Sequence, residues 1–245
     1  MSETTGNTIK LLLVEDDANL CYIIQGGLED MIGGYEVLTA SNGEEGLKIW
    51  KEQHPDVIVS DIEMPVMDGY EMVRRIRETD MLTPILFTSG RVSPKDVVKG
   101  YELGVNNYVK KPFLAEELNA HITALLKLTR GMKAAEPSSV FPIGRYFRFD
   151  AAHATLHSET EGEHLLTVRE AELLQLLCEQ KGKVVKREVI LSRFWNTEDD
   201  YFASRSLDVF VSRLRKLLSS DDSVQIKTVK GVGLMLEEIK EKITD

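Results

Sequence analysis

Asp56-Val-Ile-Val-Ser-Asp61-Ile-Glu-Met-Pro65 is the stretch whose reading decides the fold. Val57, Ile58 and Val59 form a short apolar run that stops at an acid, Asp61. A run of that length without polar alternation suits a strand buried on both faces of a parallel sheet. Pro65 ends regular structure, and Met67-Asp68-Gly69 supplies a turn before the next helical pattern. Three further apolar runs end in polar chemistry: residues 9–14 in Glu15-Asp16-Asp17, residues 85–87 in Thr88-Ser89-Gly90, and Tyr108-Val109 in Lys110-Lys111-Pro112. Ligands of open α/β sheets sit outside the carboxyl ends of the strands. With these four strands side by side, carboxylates, a hydroxyl and an ammonium meet at one edge. That edge suits a divalent cation and a phosphoryl group.

The chain has 245 residues, 42% of them hydrophobic, enough for one large domain or two small ones. A net charge of −10 argues against a generally basic coat for nucleic acid, although a total can hide a local patch. Residues 1–130 carry 13 basic and 21 acidic side chains and the rest 17 and 19, so the balances are −8 and −2. The first residues hold no apolar core of the signal-peptide kind, and no run approaches membrane-spanning length; a cytoplasmic chain without a membrane partner is expected. Cys21 and Cys178 lie in separate helical patterns and imply neither a disulfide nor a metal motif; both read as buried thiols.

Helical periodicity appears over residues 19–31, with a stripe of Leu20, Ile23, Ile24 and Leu28, and a strand is expected at 36–39. Asn42 caps the next helix, with Glu45 three residues on. Further helices are expected at 70–78, 97–103 and 115–128. Five strands alternating with five helices specify an α/β, doubly wound parallel sheet of the flavodoxin-like kind. Residues 131–139, with Gly131, Pro137, Ser138 and Ser139, break the pattern and read as a linker between a domain at 1–130 and another at 140–245. Short β-rich pieces follow over 141–166. Thr167-Val-Arg-Glu170 is a capping box opening a helix, a second helix runs over 186–194, and residues 196–203 are a loop. A third helix spans 206–218; a strand at 224–229 then turns at Gly231-Val232-Gly233 into 234–236. Helices followed by a terminal hairpin make a small α+β winged helix-turn-helix domain.

Glu15, Asp16 and Asp61 are hard oxygen donors of the type Mg²⁺ (or Mn²⁺) takes. Beside such an ion, Asp61 is a carboxylate nucleophile for phosphorus, Lys111 a partner for a phosphoryl oxygen, and Thr88 a hydrogen-bond donor. Aspartyl phosphohydrolases also carry a second acid two residues after the nucleophile, here Glu63, but their following threonine is here Pro65, and no P-loop or Gly-x-Gly-x-x-Gly is present. Val-Glu-Asp at 14–16, Asp61 with Met64-Pro65 and Asp68-Gly69, Thr88-Ser89, and Tyr108 to Lys111-Pro112-Phe113 closely resemble the receiver domain of two-component response regulators, from residue 8 to about 128. The resemblance implies phosphorylation of Asp61 by a histidine kinase, a Mg²⁺ requirement, and the Glu63 backbone carbonyl in the coordination shell. It makes Tyr108 the switch residue paired with Thr88, and Asp17 a bystander. An alternative within the same architecture is a receiver that signals without phosphorylation, through constitutive or partner-controlled DNA binding.

Over residues 205–230 six basic residues face three acidic ones, a reversal of the chain's sign. On a helical wheel Leu207, Phe210, Val211, Leu214, Leu217 and Leu218 face inward, and Val209, Ser212, Arg213 and Lys216 face out, with Arg205 at the entrance. Such a side suits a DNA major groove, and Lys227 to Lys230 suit a wing on phosphates or a minor groove. Leu166-Thr-x-x-Glu170, Arg205-Ser-Leu-Asp208, Ser212-Arg-Leu-Arg-Lys216 and Thr228-Val-Lys-Gly-Val-Gly233 together resemble the OmpR/PhoB effector domain, from about 140 to 238. The resemblance implies promoter DNA and RNA polymerase as partners, Arg213 as base reader, Arg205 and Arg215 as phosphate contacts, and Thr228 and Lys230 at the wing. Leu234 replaces the usual tyrosine, and Asn196 the usual glycine after tryptophan. Receivers of this type pair two-fold through the fourth helix, fifth strand and fifth helix. Here the usual acidic pair before the tyrosine is Asn106-Asn107 and the usual arginine is His121; Lys99, Glu116 and Glu117 remain as charges. A homodimer whose affinity depends little on salt is expected.

Overall fold

A computed structural model describes residues 8–90, 93–133, 140–195 and 201–239. The chain forms two compact units that divide between Lys127 and Leu128. In the first, strands β1 (Ile9–Val14), β2 (Tyr35–Ala40), β3 (Val57–Asp61), β4 (Ile85–Ser89) and β5 (Asn107–Lys110) make one parallel sheet in the order β2-β1-β3-β4-β5. Helices α1 (Ala18–Gly26), α2 (Gly43–Gln53), α3 (Gly69–Arg77), α4 (Pro94–Glu102) and α5 (Ala115–Lys133) alternate with them. Leu11, Leu12, Leu13, Val57, Ile58, Val59, Ile85, Leu86 and Phe87 are at most 1% exposed, which is why these strands show no polar alternation. The strand order reverses between β1 and β3, so a crevice opens where Glu15, Asp16 and Asp61 end their strands.

Short polar side chains start the helices. Asn42 accepts from the N–H groups of Glu44 and Glu45 at 3.0 Å, and Asp68 from Glu71 N–H at 2.8 Å. Asp17 accepts from Asn19 and Leu20 N–H and so caps α1. On α3, Met72, Val73 and Ile76 are fully buried and each contributes roughly 1.5–3 kcal/mol. Its ion pairs, Arg74–Glu71 and Arg75–Glu71, are surface pairs of about 0–1 kcal/mol. The inner face therefore holds this helix.

The helix expected over 19–31 is α1 followed by a π-helical segment, Gly27–Ile32; the Gly26-Gly27 pair weakens the α ladder there. Ile24 and Leu28 are buried, but Ile23 is 67% exposed and does not belong to the core stripe. Helix α5 continues through Lys133, so residues 131–133 of the expected linker are helical: one glycine costs about 1 kcal/mol, too little to stop a long helix. Residues 134–139 lie outside the described residues.

In the second unit β6 (Val140–Ile143), β7 (Phe147–Asp150), β8 (Thr155–Ser158) and β9 (Gly162–Leu165) form an antiparallel meander. Helix α6 (Val168–Glu179) follows its capping box, with both reciprocal bonds of Thr167 and Glu170 formed. A two-residue strand β10 (Val185–Lys186), unrecognised in the sequence because of its length, precedes α7 (Arg187–Trp195). Helix α8 (Tyr201–Leu217) begins five residues before the expected start at 206, and the rest of the expected loop, residues 196–200 with Asn196, lies outside the described residues. The hairpin of β11 (Val224–Val229) and β12 (Gly233–Glu238) completes a sheet in the order β10-β12-β11, the arrangement of a winged helix. Leu234 is buried opposite Val185 and Thr228.

Asp221, 2% exposed, ties the two sheets of this unit together. One oxygen accepts from the N–H groups of Arg145 and Tyr146 at 2.6 and 3.1 Å, the other from the N–H and hydroxyl of Ser223 at 2.9 and 2.5 Å. Burial works against its charge, but these bonds prevail and hold the carboxyl below its ordinary range. A depressed acid stabilises the fold above its unfolded pKa and loses that contribution as pH falls through the folded value. Asp221→Asn, which turns one acceptor into a donor facing donors, is expected to cost about 1–3 kcal/mol in urea unfolding. The deficit should shrink as the pH is lowered through the acid range.

Candidate functional site

β3 ends at Asp61, and its two oxygens are held separately. Oδ1 accepts from Ile62 N–H at 2.6 Å and Oδ2 from Lys111 Nζ at 2.5 Å. The same Lys111 Nζ lies 2.7 Å from Glu15 Oε2. Glu15 is 3% exposed, and burial raises its pKa against the opposing pull of Lys111. For Lys111, burial disfavours the charge, but the bonds to Asp61 and Glu15 outweigh it and raise the pKa. The carboxylate oxygens of Glu15, Asp16 and Asp61 lie within 4.8 Å of one another. Three acids and one ammonium leave this crevice net negative, and oxygen donors of this hardness fit a small divalent cation.

Local backbone brings these groups together. Asp68 and Gly69 start α3 directly beneath Asp61: a Cβ at Gly69 would stand 2.3 Å from the Asp61 carbonyl oxygen. That close approach is the physical need for glycine after the expected turn. The Lys111 N–H donates to the Ser89 carbonyl at 2.9 Å, and the Lys111–Pro112 peptide bond is cis. Thr88, 1% exposed, faces Asp61 in the register of β3 and β4. Glu63 is exposed in the loop after β3.

Tyr108 points inward and is 6% exposed. Its ring meets Phe87 edge-on at 5.6 Å and Tyr101 at 5.2 Å between centroids, and its hydroxyl donates to the Asp96 carbonyl of α4 at 2.9 Å. Burial pushes this phenol far up in pKa, so it remains a donor. Tyr70 of α3 donates to the same carbonyl at 3.2 Å, and its ring packs edge-on against Phe87. Sequence reasoning missed Tyr70 and Gly100. A Cβ at Gly100 would come within 1.9 Å of the Tyr108 hydroxyl oxygen, so this glycine makes room for the inward ring. The signal was available, as a glycine inside a helical pattern needs a packing reason.

The expected dimer residues are partly engaged within the chain. Asn107 is only 5% exposed; its amide nitrogen lies 2.9 Å from His121 Nδ1, and its oxygen accepts from Tyr108 N–H. Asn106 is fully buried and accepts from Ile85 N–H at 2.8 Å. A strand end buried under α4 and α5 takes neutral amides more cheaply than carboxylates. Lys99 places its ammonium 3.9 Å from the centre of the Tyr70 ring. Glu116 and Glu117 are exposed.

On α8, Leu207, Phe210, Val211, Leu214 and Leu218 are at most 4% exposed and pack inward as expected. Arg205, Ser212, Arg215 and Lys216 are exposed, Val209 half-buried, and Thr228 and Lys230 exposed on the hairpin. Arg215 donates from Nε to the Ile226 carbonyl at 2.8 Å and from Nη2 to Thr228 Oγ1 at 2.7 Å, which fastens α8 to the wing. Arg213 Nε lies 2.7 Å from the buried Glu170 Oε1. Among the described residues no helix is long and apolar enough to cross a membrane.

A five-stranded parallel sheet with an acidic crevice at its switch point, followed by a winged helix, defines a receiver joined to a DNA-binding effector. Comparison with known proteins agrees on both parts: residues 11–123 match the response regulator receiver domain, and residues 161–236 match the transcriptional regulatory protein C-terminal domain. The chain is 35% identical over 228 residues to the transcriptional regulatory protein RprY of Bacteroides fragilis, covering 93% of this chain and 94% of that one. It is also 35% identical over 241 residues to the alkaline phosphatase synthesis transcriptional regulatory protein PhoP of Bacillus subtilis, covering 94% and 98%. Among solved structures a mutant of RitR aligns with a TM-score of 0.70 at 26% identity, over 94% of this chain and 99% of that one. The chain belongs to the OmpR/PhoB family of two-component response regulators, phosphorylation-controlled regulators of transcription that bind DNA.

Gly100→Ala should expel the Tyr108 ring. Alanine gains about 1 kcal/mol of helix propensity at most, whereas a buried aromatic contributes roughly twice that or more. Hydroxyl-radical footprinting should find Tyr108 protected in the parent and oxidised in the variant. Continued protection would mean that α4 yields instead of the ring.

Proposed function

We propose that Asp61 is the phosphoacceptor, that Mg²⁺ sits among Glu15, Asp16, Asp61 and the Glu63 carbonyl, and that a histidine kinase is the donor. The observation that carries this is the convergence of Asp61, Glu15 and Lys111 within hydrogen-bonding distance at the switch point of the sheet. An Asp61 oxygen attacks phosphorus, the P–N bond to the donor imidazole breaks, and the freed ring nitrogen takes up a proton, leaving a mixed anhydride on Asp61. A bound Mg²⁺ supplies Lewis-acid charge for the phosphoryl oxygens. Lys111 exchanges its bond to Asp61 for one to a phosphoryl oxygen, and the Thr88 hydroxyl donates to another. Thr88 and Tyr108 then transmit the change through Asp96 and α4.

The output is a cytoplasmic homodimer on promoter DNA in contact with RNA polymerase. Helix α8 lies in the major groove, with Val209, Ser212 and Lys216 toward the bases, while Arg205 and Lys230 meet phosphates. Pairing through α4, β5 and α5 draws on few free charges, since Asn107 and His121 satisfy each other and Lys99 lies over Tyr70.

With acetyl phosphate and Mg²⁺, Asp61 should be labelled, and the label should vanish with EDTA and in Asp61→Asn. Label persisting in Asp61→Asn would assign the role to another carboxylate. Rim ion pairs contribute only about 0–1 kcal/mol each, so sedimentation from low to high salt should leave the phosphorylated dimer largely intact. Steep dissociation with added salt would return the face to ion pairing.

A further inference from the structure

Glu170 performs two tasks at once. Its Oε2 accepts from the N–H and the hydroxyl of Thr167, both at 2.8 Å, and so caps α6. Its Oε1 lies 2.7 Å from Nε of Arg213 on α8. The Glu170 side chain is 1% exposed and that of Arg213 is 29% exposed. A buried carboxylate of this kind needs its cation, because an ion left alone in a low-dielectric interior is strongly unfavourable. Arg213 is therefore committed to the interior of the domain by charge. Its neighbours on the same helix, Ser212 and Lys216, are exposed. On the other flank, Arg215 binds the Ile226 carbonyl and Thr228 of the wing.

We infer that Arg213 is a positioning residue, which locks the rotation of α8 on the capped start of α6 through Glu170, and that it does not read a base. Discrimination falls to the side chains the lock presents, Val209, Ser212 and Lys216. The inference rests on α8 being the helix that enters the DNA groove. The apolar face of Leu207, Phe210, Val211, Leu214 and Leu218 holds α8 on the core without directionality, and polar contacts set its rotation: Arg187 to Asp208 and Ser204, Arg215 to the wing, and Arg213 to Glu170. The ion pair between the guanidinium and a buried carboxylate, at 2.7 Å, ties α8 to α6 on this side. The capping carboxylate, fixed from two sides by Thr167, is a rigid anchor for it.

The test uses the full chain and binding-site selection from random DNA, followed by affinity titration on the selected site. Arg213→Ala and Glu170→Gln should select the same sequence as the parent, with affinity lowered about tenfold in each and no further loss when combined, as contacting residues couple. The active fraction from stoichiometric titration should stay at the parental value, which separates lost positioning from lost folding. Arg213→Lys should recover part of the affinity. If Arg213→Ala does not fold, Glu170→Gln, whose amide still offers an oxygen to Thr167, and Arg213→Lys decide the matter by the same readouts. A changed preference at one base in an Arg213 variant, or Glu170→Gln binding like the parent, overturns the inference. Ser212→Ala and Lys216→Ala should lower affinity or change the preference. If both behave like the parent, α8 is not the reading helix and the inference falls with that reading.

Discussion

A carboxylate that has been taken out of water is the constraint on which the receiver is built. Glu15 ends a strand whose preceding residues are fully buried, so its charge sits at the mouth of a hydrophobic sheet. Burial raises its pKa, and Asp61 adds a second negative charge nearby. Only cationic chemistry makes that pair tolerable, and the chain supplies one ammonium, Lys111, shared between them. The sheet order puts the three residues in one place, and α3 is brought close beneath Asp61 by a glycine. A fold arranged this way is responsive to added charge. On the proposed function, a divalent cation would relieve the carboxylates and a phosphoryl group would draw Lys111 away from Asp61.

The route from that crevice to the surface is short and made of packed rings. Thr88 stands next to Asp61 on β4; Phe87, one residue earlier, packs against both Tyr70 and Tyr108. Both phenols end on one carbonyl, that of Asp96 in the first turn of α4. The rings of Phe87, Tyr70 and Tyr108 thus tie β4 and β5 to the start of α4 through two hydroxyls, and Tyr108 also meets α4 at Gly100. Interiors at native packing density transmit displacements because there is no void to absorb them.

Much of this was legible in the residues themselves, and the failures have physical causes. The unalternating runs at 57–59 and 85–87 declared buried parallel strands, and the acids and lysine after them declared the crevice, because strand ends are set by local polarity. Asn42 and Thr167 announced their helices through local hydrogen bonding, whereas Asp68, read as a turn residue, also caps α3. What could not be read was pairing across the fold. Asp221 looks like a loop acid until its partners at 145 and 146 are brought to it. Asn106 and Asn107 were read as a neutralised surface pair, whereas the strand end they occupy is buried. Arg213 looked free on a helical wheel, which shows the direction of a side chain and not the reach of a neighbouring helix. The periodicity of 19–31 also put Ile23 beside Ile24 in the apolar stripe, although of the two only Ile24 is buried. Residue 131 misled for a different reason: one glycine is a weak break when the helix around it is long.

The two units share one device and use it to opposite ends. Each has a carboxylate no more than 3% exposed that is held by a single basic side chain from a different element, Glu15 by Lys111 and Glu170 by Arg213. In the receiver the cation is an ammonium, a compact charge with rotatable donors, and it already divides itself between two acids. Such a bond can be redistributed when a third anion arrives at the crevice. In the effector the cation is a planar guanidinium, and its carboxylate is also committed to Thr167 as a helix cap. A compact ammonium suits the joint that two acids share, and a planar guanidinium the joint whose carboxylate is already fixed by a helix cap.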